Sequence, residues 1–194
     1  MIAFLQGNFV RKTPALVQIE VNGIGYELHI SLNTYSNIAA KEQGKLHTYF
    51  HVREDAQVLY GFHDEDEKEM FMHLIGVSGV GASIARMMLS SMKPAEIAKA
   101  ITQGNSRLLE SIKGIGKKSA ERIVLELRDK MAKTSFGSNN EPLISNTLEQ
   151  DALNALVALG IARSSGEQAI ARVRKTNPDL QKIEDIIKQA LKNI

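Results

Sequence analysis

A twelve-residue pattern occurs twice in this chain, 35 positions apart, and it restricts the middle third to paired helices joined by tight turns. Leu74–Ala85 (LIGVSGVGASIA) is matched by Leu109–Ala120 (LESIKGIGKKSA), and both close in Gly-(Val/Ile)-Gly-x-x-x-Ala. Apolar residues at helical spacing precede and follow each copy. The glycine pair permits a tight turn with positive φ. It also leaves the amide N–H groups of the next helix's first turn uncovered, so that a phosphate can approach them. The alanine lets the two helices pack closely, and Lys117 and Lys118 add positive charge beside the second turn. This is the helix-hairpin-helix pattern, which grips a DNA backbone without reading bases. One such glycine pair is commonly an ordinary helix connection. Neither copy is a phosphate-binding loop of the nucleotide-hydrolase type: Lys118 follows Gly116-Lys117 where Ser or Thr is needed, and Ser111 stands where a Gly is needed. No ATP site and no cofactor is expected.

Charge singles out the same region. Residues 1–63 carry five basic and five acidic groups, and residues 134–194 carry seven of each. Residues 70–133 hold eleven basic against five acidic, a surplus of six. A polyanion partner is therefore expected to meet the middle segment. Two phosphate-gripping turns inside the one basic segment favour DNA.

The first segment, 1–63, reads as strands. Val17, Ile19 and Val21 alternate with polar residues, a turn is expected at Gly23-Ile24-Gly25, and Tyr26, Leu28 and Ile30 alternate again. Residues 2–10, 46–52 and 57–62 are rich in β-branched and aromatic types. A short helix is expected over Leu32–Ala40, started by Ser31 or Asn33. Five strands with a helix after the third is the order of an OB-fold barrel, a fold that also serves purely structural roles. Helical spacing begins at Glu67 and continues to about Lys133. Residues 134–146 (TSFGSNNEPLISN) have the composition of a flexible linker. Residues 147–194 read as three short helices. The first ends at Gly160, the second opens with a capping box at Ser164 and Glu167, and the third opens with Asn177-Pro178 and buries Leu180, Ile183, Ile187 and Leu191. The fold class is α+β multidomain: an N-terminal OB-fold β-barrel, a middle all-α double helix-hairpin-helix domain and a C-terminal three-helix UBA-like domain.

Arg53-Glu54-Asp55-Ala56-Gln57 lies between two strand runs. Its acids suit a solvated hairpin turn. Facing DNA, they would repel phosphates. A metal-binding carboxylate pair is a third option, but adjacent strand residues point to opposite faces and no further acids cluster there. No catalytic residue and no metal site is expected. The histidines at 29, 47, 51, 63 and 73 have no metalloprotease-like spacing, and His47 and His51 read as surface strand residues. The chain has no cysteine, which suits a reducing compartment. It has no apolar run long enough to span a bilayer and no leader, so a cytoplasmic location without membrane contact is expected. In the last segment Leu153, Leu156, Val157 and Leu159 exceed what one helix of a small bundle needs, which suggests a protein-binding surface.

Taken in order, MIAFLQG at 1–7, VNGIGYE at 21–27, VREDAQVLYGF at 52–62, GVG at 79–81, GIGKKSAER at 114–122 and ALVALG at 155–160 make the chain resemble the RuvA family of Holliday-junction-binding proteins, from Met1 to the C-terminus. The resemblance implies a homotetramer (an octamer on DNA in one arrangement) holding a four-way junction open and planar, with the RuvB ATPase hexamer as motor and the RuvC resolvase as a further partner. It implies a DNA-binding subunit that is not itself the catalyst. On this reading Gly79, Gly81, Ala82, Ser83 and Arg86 of the first hairpin contact DNA, with Gly114, Gly116, Lys117, Lys118 and Arg122 of the second. Glu54 and Asp55 form a central acidic pin, and Leu156, Leu159 and Ile161 bind RuvB. The chain departs from the family at Ser83, where a lysine is usual, and at Ile161, where an aromatic is common. Two other classes compete. A helix-hairpin-helix glycosylase or nuclease would need a lysine or acid constellation after the second hairpin, where only Asp129 stands. An OB-fold RNA or single-strand binder would need stacking platforms, yet aromatics are 5% of residues and their alternation points most of them into the barrel core.

Overall fold

The computed structural model describes residues 1–132, 136, 148–177, 180 and 182–193. The chain divides into two compact units, Met1–Ser138 and Asn139–Ile194.

The first unit begins with five strands, β1 (Phe4–Lys12), β2 (Leu16–Val21), β3 (Ile24–Ile30), β4 (Gln43–Val52) and β5 (Gln57–Phe62). They close into an OB-like barrel in the order β1-β2-β3-β5-β4, with β4 returning to pair with β1. All pairings are antiparallel except β3 with β5. Alternation sends Leu5, Phe9, Val17, Ile19, Leu28, Ile30 and Leu46 inward, and closure removes the exposed strand edge. The β2–β3 turn is Asn22-Gly23, one residue earlier than the glycine pair suggests. Both residues have positive φ (50° and 83°), the type I′ geometry that matches strand twist. Ile24 and Gly25 already belong to β3. Helix α1 (Leu32–Ile38) is capped by Ser31, whose Oγ accepts from the Thr34 amide (3.0 Å), and it inserts Ile38 into the barrel.

Helices α2 (Glu65–Ile75), α3 (Ala82–Ser91), α4 (Pro94–Thr102), α5 (Ser106–Glu110) and α6 (Lys117–Met131) follow in the same unit. Their core includes Tyr60 and Phe62 from β5. Phe71 of α2 lies 4.9 Å from the Phe62 ring, 5.0 Å from Tyr60 and 5.5 Å from Tyr49. These aromatics therefore bond the outside of the barrel to α2; the expectation that most fill the barrel holds for Phe9 but not for them. Burying one such ring contributes about 1.5–3 kcal/mol, so the seam is an apolar core in its own right. Phe136 packs against the same core; the rest of the expected linker lies outside the described residues.

The second unit contains α7 (Leu148–Ala158), α8 (Arg163–Thr176) and α9 (Ile183–Lys192) around Ala152, Leu153, Leu156, Ala169, Ile170, Val173, Ile186 and Ala190. Helix α7 stops as expected at Gly160, where φ is +89°. The Ile161 amide donates to the Leu156 carbonyl and the Gly160 amide to that of Val157, both at 3.0 Å, a Schellman stop. The other two caps differ from expectation. Helix α8 has its N-cap at Ala162, two residues before the expected Ser164, and no side-chain cap; Glu167 instead pairs with Arg163 (3.0 Å). Asn177 ends α8, and α9 starts only at Ile183. Pro178 lies outside the described residues. The apolar face of α9 is met in part: Leu180, Ile183 and Ile187 pack partly buried on that core, Ile186 and Ala190 are fully buried in it, and Leu191 is 44% exposed.

Candidate nucleic-acid interface

The two repeat copies fold into near-identical turns. After α2, the Val77 amide donates to the Leu74 carbonyl (3.1 Å) and the Val80 amide to that of Val77 (3.0 Å). After α5, Ile112 donates to Leu109 (3.2 Å) and Ile115 to Ile112 (3.1 Å). Val77, Val80, Ile112 and Ile115 are buried, so each loop is pinned to the core by two aliphatic side chains. Gly79 and Gly114 have φ of +88° and +93°, which favours glycine by sterics alone. Gly81 and Gly116 differ. They are the N-caps of α3 and α6, with φ of −82° and −87° that any residue adopts. A Cβ on either would meet nothing within 4 Å. Neither backbone angle nor packing asks for glycine there. The repeat alanines behave as expected: Ala85 and Ala120 are fully buried.

The helix starts behind these glycines are bare. Within the first unit, α1, α2 and α5 are capped by Ser31, Asp64 and Asn105, and α4 has Glu96 in its first turn. Helices α3 and α6 have neither a side-chain cap nor an acid in the first turn. Their uncovered N–H groups and the positive end of the helix dipole favour an anion. Around the second turn Lys117, Lys118 and Arg122 are exposed, and so is Lys113, which sequence reasoning passed over although it adjoins Gly114. Arg122 also ties the hairpins together, donating from Nη1 to the Ser78 carbonyl (3.3 Å) while its Nε lies 3.7 Å from Glu126.

The first hairpin offers less charge. Ser83 is exposed, whereas Ala82 is buried and presents only backbone. Arg86 turns toward the barrel: its Nη1 lies 3.1 Å from both the Ala15 carbonyl and His29 Nδ1. Burial, followed by this guanidinium, holds His29 below the ordinary histidine range, with Glu27 opposing. Arg86 thus fastens α3 to the barrel.

Glu54 and Asp55 sit exposed on the β4–β5 hairpin, whose ends pair through Val52 and Gln57. Arg53 folds back, its Nε donating to His51 Nε2 (2.9 Å). The two strand histidines are half-buried and not simply on the surface. Burial, then Lys45, lowers the pKa of His47, against an opposing Glu65 at 3.5 Å. Among the described residues no group of three or more His, Asp or Glu is placed to hold a metal ion, and no helix is long and apolar enough to cross a membrane.

In the second unit the expected partner residues separate. Leu159 is 63% exposed with Val157 beside it at 44%. Leu156 is fully buried in the three-helix core, so it cannot be a contact surface; this corrects the sequence-based reading. Ile161 is partly buried and packs on the same core at the Schellman stop. Apolar count identified the helix, but only packing tells which leucines face out.

Family descriptions match the chain in three stretches: RuvA N terminal domain over residues 1–61, SAM-like helix-hairpin-helix tandem over 71–129, and RuvA C-terminal domain over 147–194. Among similar curated proteins, that of Flavobacterium psychrophilum is 45% identical over 194 residues, covering all of both chains. That of Cytophaga hutchinsonii is 42% identical, covering 99% of each, and that of Syntrophotalea carbinolica is 44% identical, covering 99% of this chain and 98% of the relative. All three are named Holliday junction branch migration complex subunit RuvA.

Proposed function

The chain belongs to the RuvA family, and on that premise we propose that it is the non-catalytic, DNA-binding subunit of a branch migration complex, gripping four-way junctions through their phosphates. The observation that carries this reading is the pair of bare helix N-termini behind Gly81 and Gly116, glycines that the fold itself does not require. Phosphate binding at such amides is sequence-independent, as a junction of arbitrary sequence demands.

On this proposal the second hairpin, Gly114, Gly116, Lys113, Lys117, Lys118 and Arg122, supplies most of the charge. The first, Gly79, Gly81, Ala82 and Ser83, binds through backbone amides. Arg86 holds α3 against the barrel. Glu54 and Asp55 form an acidic pin at the junction centre, where symmetry copies would gather carboxylates and keep duplex phosphates away. Segments 1–63 and 64–133 would form the DNA platform, 134–146 the tether and 147–194 the motor-binding module. Leu159 would be its exposed apolar contact for a RuvB ATPase hexamer. A homotetramer, an octamer on DNA, contact with the RuvC resolvase and a cytoplasmic location belong to the same proposal. The relatives' name, a complex subunit, supports further subunits.

Replacing Lys117 and Lys118 together with Glu should weaken binding to all junction sequences and flatten the dependence of log K on log salt, since each phosphate contact contributes a slope of about 0.9. Fluorescence anisotropy on labelled four-way junctions across a salt series measures this. An unchanged slope would remove the second hairpin from the interface.

A further inference from the structure

Glu67 is the one fully buried charged residue among the described residues. It is in the first turn of α2, five residues after the barrel's last strand and nine before the first hairpin turn. Its carboxylate does not face a cation. One oxygen accepts from the Ser31 hydroxyl and the other from the Thr34 hydroxyl (2.5 Å), both on the first turn of α1. Thr34 Oγ1 in turn accepts from the His63 amide (3.0 Å), at the bend where β5 becomes α2. Ser31, Thr34 and Glu67 are three of the four buried polar residues described, and they form one network.

Such a network is an inefficient way to stabilise a fold, because an apolar set of the same shape holds as well or better. Its physical effect is directional: hydroxyl-to-carboxylate bonds hold their partners at fixed angles, and in a dry surrounding they tolerate little distortion. The aromatic seam around Phe71 has no comparable directionality. The chain path gives that direction a consequence. The acidic hairpin, β5, the His63 bend, α2 and the first phosphate turn are consecutive, so the angle at the bend sets where the hairpin turns lie relative to Glu54 and Asp55. A second tie closes the same seam, with the Leu32 amide donating to Ser90 Oγ (3.1 Å) on α3.

We propose that Glu67, with Ser31 and Thr34, is a positioning residue that fixes the angle between the barrel's acidic hairpin and the phosphate-binding turns, and thereby sets the preference for a four-way junction over plain duplex. The inference rests on the junction-binding reading above. A junction engages several hairpin sets at once, and that gain depends on each set already standing at the right angle. A duplex engages fewer and tolerates looseness.

The test is Glu67→Gln, which keeps the shape but can accept from only one hydroxyl at full strength. Because the chain has no cysteine, spin labels at Glu42→Cys on the barrel and Glu110→Cys on α5 report the angle directly. The expected result is a broadened inter-label distance distribution and a junction-over-duplex ratio reduced by about tenfold or more, mostly through weaker junction binding, in a variant with native circular dichroism. A merely structural role would lower both affinities together. If Glu67→Gln does not fold, Thr34→Val carries the same measurement, removing one hydroxyl from the network. A folded variant with an unchanged junction-over-duplex ratio overturns the proposal. A wild-type protein that shows no preference for the junction sinks the junction-binding reading instead, which keeps the two failures apart.

Discussion

Alanine at Gly114 and alanine at Gly116 separate what the turn needs from what a phosphate needs. At Gly114 φ is +93° and a Cβ would meet nothing within 4 Å, so the cost is backbone strain alone. An L-residue held in the left-handed region loses about 1–2 kcal/mol. For a unit of this size each kcal/mol is worth roughly 3–5 °C, so Gly114→Ala should lower Tm by roughly 3–10 °C. At Gly116 φ is −87° and ψ 166°, which alanine adopts freely, and the space is again open. Alanine is the poorer N-cap by about 0.5–1 kcal/mol, and it recovers about 0.4–1 kcal/mol by restricting the unfolded chain. The two nearly cancel, and Tm should move by less than roughly 3 °C. Binding should respond differently. On the proposed binding mode the added methyl, at the N-cap of α6, crowds a phosphate that approaches the uncapped amides, and loss of one charge-assisted hydrogen bond costs about 1.5–3 kcal/mol. That is about ten- to a hundredfold in Kd. Thermal melts by circular dichroism and junction titrations by anisotropy give both numbers. The reasoning fails if Gly116→Ala binds junctions like wild type, or if it loses as much Tm as Gly114→Ala.

Three further outcomes are expected. Glu54→Gln with Asp55→Asn should preserve or tighten junction binding and narrow the discrimination against duplex, measured by competition titration; a loss as large as that of the Lys117→Glu, Lys118→Glu protein would contradict a repulsive pin. Burial, resisted by the Ser31 and Thr34 hydroxyls, raises the Glu67 pKa. The folded state therefore holds this proton more tightly than the unfolded chain, and the resulting stability, fully present below the unfolded value, is lost as pH rises through the folded one. Melts from pH 4 upward should show Glu67→Gln gaining on wild type, and the opposite slope would mean that the hydroxyl bonds outweigh burial. Leu159→Asp, at an exposed site, should leave α7–α9 folded within about 0.5 kcal/mol while abolishing stimulation of a RuvB-like ATPase. Leu156→Asp should unfold the second unit, and far-ultraviolet circular dichroism of the two variants distinguishes them.

Much of this molecule is determined within stretches of ten or so residues. Strand alternation at Val17–Val21 and Tyr26–Ile30 selects which side chains face inward before any partner strand is specified, because successive residues of a strand point to opposite faces. The glycine turns are equally local: positive φ at Gly79, Gly114 and Gly160 follows from residue type and the adjoining helix ends. Other features depended on partners far along the chain. Arg86 reaches Ala15 across 71 positions, and Glu67 meets Ser31 across 36. Nothing near either residue announces that partner, and each resembles an ordinary surface charge in its own helix. Tyr60 and Phe62 have strand-like neighbours and yet serve the helical core, since α2 covers their face of the barrel. Ser164 carries good capping chemistry that the start of α8 does not use, and Leu156 and Leu159 differ by a helical phase that only the packing of α8 and α9 resolves. Sequence thus determined the elements, the turns and the charged segment. Tertiary packing decided which polar groups are buried, which leucines remain in water, and how barrel and hairpins are held at one angle, because burial belongs to pairs of surfaces and not to a stretch of chain.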